Sequence, residues 1–118
     1  MSEFRFQNLE IWKRAGDLAL QLFKVADDFD ARRLHRFAEQ LRAAALSVPN
    51  NIAEGSGSYS DDEFRHYLNI ARRSVFECAS MLLVFSKDGR LPEQMKDSLI
   101  SELEQLSKMI NGFRKSLE

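Results

Sequence analysis

Apolar residues recur at helical spacing in four successive stretches of the chain. From about Asn8 they fall at Leu9, Trp12, Ala15, Ala19, Leu22, Phe23 and Ala26, the i, i+3, i+4, i+7 rhythm of one buried helical stripe. Asn8 is the expected N-cap, because its side chain can accept from a free N–H of the first turn. Asp27, Asp28 and Asp30 suit a helix C-terminus poorly and place the first turn there, with Phe29 folding back onto the bundle. A second stripe, starting near Ala31 to Arg33, runs through Leu34, Phe37, Leu41, Ala44, Ala45, Val48 and Ile52. A third carries Phe64, Tyr67, Leu68, Ala71, Val75, Cys78, Leu82 and Phe85, and a fourth Met95, Leu99, Leu103, Leu106, Ile110, Phe113 and Leu117. The predicted helices are about 8–27, 32–57, 61–88 and 92–117, joined by short links. No segment alternates with period two. The expectation is a single all-α domain over 1–118, an antiparallel up-down-up-down four-helix bundle.

The punctuation between stripes supports these bounds. Ser60-x-x-Glu63 predicts a capping box, with the hydroxyl on the N3 amide and the carboxylate reaching back. Gly89 is placed for a left-handed C-cap, and Leu91-Pro92 for a helix start. Gly55 and Gly57 are read as the end of the second helix, before the loop GSGSYS. Pro49 is the anomaly: it removes an N–H and crowds the carbonyl of Ala45. The apolar register passes from Leu41 through Ala45 and Val48 to Ile52 without a phase break. That favours one helix kinked at Pro49 over two helices split at Ser47.

Composition adjusts this picture only slightly. The 118 residues are 44% hydrophobic and 30% charged, with a formal net charge of −1. A dedicated nucleic-acid binder usually shows a basic excess, which is missing from the total. Cys78 is the only cysteine, so neither an intramolecular disulfide nor a cysteine metal cluster can form, as fits a reducing cytoplasm. The opening MSEFRFQNLEIW lacks the apolar core of a signal peptide, and the longest uncharged stretch is too short to span a bilayer.

Candidate chemistry is sparse. Glu63-x-x-His66 has the spacing with which bundle proteins ligate two irons, but such a site needs a second E-x-x-H, and His35 has no glutamate three residues before it. Cys78 lies on an apolar stripe, where a thiol is a small hydrophobe. No catalytic residue, cofactor or metal is assigned, and the chain is expected not to be an enzyme. Basic residues concentrate at Arg32, Arg33, Arg36 and Arg42, with Arg72 and Arg73 on the third helix; these are the candidate contacts to nucleic acid or to a protein partner. The bland reading is a solvated face with intrahelical pairs such as Arg36–Glu39 and Glu10–Arg14. A polar ridge of Ser47, Asn50, Asn51 and Glu54 beside Ala43 and Ala44 suits a close helix contact. Its polar groups would meet the carbonyl freed at Pro49, or Ser74 and Arg72 or Arg73. The apolar residues Ile11, Phe76, Leu83 and Ile100 fall outside the core registers and point to surface buried between subunits.

Three segments carry a family likeness: FQNLEIWKRAGDLA at 6–19, QLRAAALSVPNNIAEGSG at 40–57 and EFRHYLNIARRSVFE at 63–77, the last with the small pair Ser74 and Glu77. The chain resembles the bacterial four-helix proteins first noticed as products of intervening sequences in 23S rRNA genes. The resemblance implies an antiparallel bundle assembled as a homopentamer, with Ser47, Pro49, Asn50, Asn51, Glu54, Gly55, Ser74 and Glu77 as packing or subunit-contact positions. Relatives include the accessory variability determinant of diversity-generating retroelements, a basic pentamer that binds nucleic acid and a reverse transcriptase. This chain departs from the pattern at Ser58, where relatives often carry a basic residue, and in its slightly acidic total. The resulting expectation is a non-catalytic, cytoplasmic homo-oligomer that engages RNA or a ribonucleoprotein partner, against a protein-only interaction module.

Overall fold

The computed structural model describes residues 4–118, and among these every regular element is helical. After a short 3-10 turn, Arg5–Asn8, come α1 (Glu10–Ala31), α2 (His35–Ser56), α3 (Asp61–Lys87) and α4 (Glu93–Ser116). Each helix packs on its sequence neighbour, and α4 returns to α1; the α1–α4 seam is the least extensively packed of the four. Within the described residues neither α1 with α3 nor α2 with α4 is in contact, so each pair lies diagonally across the bundle. The core between them is apolar and closely filled. Phe29, Leu41, Ile52, Leu68, Cys78, Leu82 and Ile110 are fully buried. Phe29 packs edge-on against Phe85 at 4.9 Å between ring centroids.

Several boundaries differ from those read in the sequence. The N-cap of α1 is Leu9, not Asn8, which belongs to the 3-10 turn. α1 runs on through the acidic cluster to Ala31, and α2 does not begin until His35. The acids are tolerated at a negative helix end because cations meet them: Arg42 reaches Asp27 at 2.6 Å and Asp30 at 2.7 Å, and Arg32 pairs with Asp28 at 2.9 Å. The chain then reverses through Arg33, whose φ is +62°. Leu34 N donates to Phe29 O at 2.8 Å and Arg33 N to Asp30 O at 2.9 Å, the paired bonds of a Schellman turn. Gly89, φ +76°, closes α3 in the same way, with Arg90 N on Phe85 O and Gly89 N on Ser86 O.

Helix α2 continues through Pro49 without interruption, so the split at Ser47 does not occur. Gly55 does not end it. Gly55 is a buried helical residue, and Gly57, in a right-handed conformation, is the C-cap. Only half of the predicted capping box forms. Ser60 Oγ accepts from Glu63 N at 3.1 Å, but the Glu63 carboxylate accepts instead from the Ser58 hydroxyl at 3.2 Å. Two surface assignments also change. Ile11 is buried, because α1 has a second inward row (Ile11, Ala15, Leu18, Leu22, Val25, Phe29) that serves its second neighbour. Met95 is 47% exposed and leaves the core row of α4. Among the described residues no helix is long and apolar enough to cross a membrane.

Candidate interaction surface

The polar ridge of α2 comes together with α3 at three positions. Asn51 Nδ2 donates to Ser47 O at 2.8 Å and to Ser47 Oγ at 3.0 Å. Ser47 Oγ lies 2.8 Å from Ser74 Oγ, and Ser74 Oγ donates to Ile70 O at 3.2 Å. Because Ser74 spends its proton on Ile70, Ser47 must donate to Ser74, giving a one-way relay from Asn51 to the Ile70 carbonyl. Every donor in it has an acceptor, and no buried side-chain nitrogen or oxygen among the described residues is left unpaired. The amide of Asn51 therefore goes to Ser47 rather than to the carbonyl freed by Pro49, and the hydroxyls meet Ser74 rather than Arg72 or Arg73. Asn50 and Glu54, expected on the same ridge, are exposed. Pro49 itself is buried, and Gly55 lets α3 approach: a Cβ there would meet the Tyr67 Cβ at 2.7 Å.

The six candidate arginines separate. Arg42 is committed to Asp27 and Asp30 across the α1–α2 corner. Asp30 also hydrogen-bonds His35 Nδ1 at 2.8 Å, and that bond, followed by those from Arg42, holds its carboxyl below the usual aspartate range. Arg32 donates to the carbonyl of Arg90 at 2.8 Å and lies over the Phe29 ring, tying the α1–α2 turn to the α3–α4 turn. Arg72 stacks over Phe76, one turn along α3. Arg33, Arg36 and Arg73 are exposed and form no ion pair among the described residues. The expected pairs Arg36–Glu39 and Glu10–Arg14 are not formed; Arg14 donates to Gln105 on α4.

The groups weighed for catalysis do not converge. Glu63 and His66 are both exposed, and no cluster of three or more histidine, cysteine or acidic side chains is set to hold a metal among the described residues. Burial, and secondarily the charge of Glu77, pushes the Cys78 thiol up to about 12, so at neutral pH it is a protonated core group.

What the surface does offer is apolar. Phe76, Leu83 and Val84 on α3 are 56%, 48% and 60% exposed. With Arg73, Ser80 and Lys87 they line the outer side of α3, where 73, 76, 80, 83 and 87 repeat at the three-four spacing of a helix-packing seam. A groove of about 550 Å³ between α3 and α4, floored by Ala79, Ile100 and Leu103, borders it on one side. A groove of about 800 Å³ between α2 and α3, lined by Phe37, Ala43, Ser47, Glu77 and Met81, borders it on the other. Ser47 and Glu77 thus sit at the edge of the outer face, while Ser74 is buried beneath it. The sequence marked Phe76 and Leu83 as surplus apolar residues but gave no sign of Val84.

These features define an all-α four-helix protein with a small-residue, hydroxyl-bonded α2–α3 contact and an uncovered apolar α3 face. The chain belongs to the family of 23S rRNA-intervening sequence proteins, whose family model matches residues 7–112. No curated protein matches it.

Proposed function

We propose that this chain is a non-catalytic homo-oligomeric scaffold, a pentamer of up-down-up-down bundles in the cytoplasm, with α2 bent at Pro49. The observation that carries the reading is the outer face of α3: Phe76, Leu83 and Val84 are exposed together, with an apolar groove on each side. A protein of 118 residues does not ordinarily leave such a face in water. Family membership supports the same assembly. The buried Cys78 and the exposed Glu63 and His66, which no third ligand joins among the described residues, support this reading.

The scaffold engages RNA or a ribonucleoprotein through Arg33 and Arg36, which remain uncommitted at one corner of the bundle. Light scattering at micromolar concentration tests the assembly; five copies of the 13.6 kDa chain are expected, and a monomer contradicts it. A salt titration of binding to single-stranded RNA tests the second part: affinity falls with salt if phosphates are contacted, and no binding even at low salt removes it. One observation favours a protein-only module instead, namely that Arg42 and Arg32 are spent inside the chain. Capture of a partner protein that survives nuclease treatment decides for that reading.

A further inference from the structure

We draw no further inference here: the strongest candidate, the apolar outer face of α3 where Phe76, Leu83 and Val84 are exposed beside the groove floored by Ala79, Ile100 and Leu103, carries none because nothing in the structure shows what covers it.

Discussion

Gly55 of α2 and Tyr67 of α3 approach so closely that a Cβ on Gly55 would lie 2.7 Å from the Cβ of Tyr67, and 2.8 Å from Cδ1 of Phe64. Neither neighbour is the free end of a flexible chain: one is the root of a side chain, the other a ring that is itself buried. Gly55→Ala is therefore expected to destabilise the fold by roughly 1–3 kcal/mol through overpacking, despite the better helix propensity of alanine. Gly16 and Gly112, also helical, have nothing within 4 Å of an added Cβ, and alanine there is expected to stabilise by about 1 kcal/mol. Urea unfolding at one fixed protomer concentration checks all three, since an assembly makes stability depend on concentration. Equal effects at the three glycines would show that the helix contact is not what selects glycine at 55.

Arg33 occupies a backbone conformation that costs an L-residue about 1 kcal/mol and glycine almost nothing. Arg33→Gly is expected to raise stability by roughly 0.5–1 kcal/mol, less than the whole strain because glycine also frees the unfolded chain. Gly89→Ala, at the matching position after α3, is expected to lower it by about 1 kcal/mol. Thermal melts of the two variants should move in opposite directions. If Arg33→Gly also weakens RNA binding, the Arg33 side chain is part of that contact.

These two turns show how far the sequence could be read. Gly89 announced its turn, because glycine is the residue that a left-handed position selects. Arg33 announces nothing, so in the sequence the acidic cluster before it reads as the helix end, four residues early. What neutralises Asp27 is Arg42, fifteen positions along, and a pairing across two helices has no signature in local spacing. The same blindness left Arg42 among the surface contacts. Four helices were legible because burial imposes a period on each. The second inward row of α1, which takes in Ile11, was not, because a helix with two neighbours buries a wider arc than one stripe. Ser47 and Ser74 both stand out in the sequence, but their bond depends on the register between α2 and α3, which only the packed structure shows.

The α1–α2 corner should be sensitive to acid. Hydrogen bonds from His35 and then Arg42 lower the Asp30 pKa from its ordinary value of 3.8. A carboxyl depressed in the folded state stabilises the fold above its unfolded pKa, and that contribution is lost as pH falls through the folded value. The loss is thus expected below pH 3.8, not near neutrality. Because the group is at the surface, the effect should be small and should shrink in high salt. Comparing melting temperatures of wild type and Asp30→Asn from pH 6 down to pH 3 reads it directly. The wild type should start higher and converge on the variant in acid, and a constant gap would mean that the carboxylate charge is not involved.

The relay from Asn51 through Ser47 and Ser74 to Ile70 predicts non-additive mutations. Ser74→Ala removes the acceptor of the Ser47 proton, but Ser47 can turn that proton to a carbonyl one turn back in its own helix. Ser47→Ala leaves Asn51 its bond to the Ser47 carbonyl and leaves Ser74 its bond to Ile70. Each single change is expected to cost about 1 kcal/mol, the usual net contribution of one satisfied hydrogen bond. The double variant loses the same 2.8 Å contact only once, so it should cost clearly less than the two single changes together. Denaturant unfolding of the four proteins closes the cycle. Strict additivity would mean that the two hydroxyls are satisfied separately and that the contact between α2 and α3 rests on Gly55 and the apolar core alone. A coupling of several tenths of a kcal/mol or more would make the hydroxyl pair a register lock. A slip of one residue along α2 would part Ser47 from Ser74 and drive the Gly55 site off Tyr67, so the two devices fail together and select the same alignment.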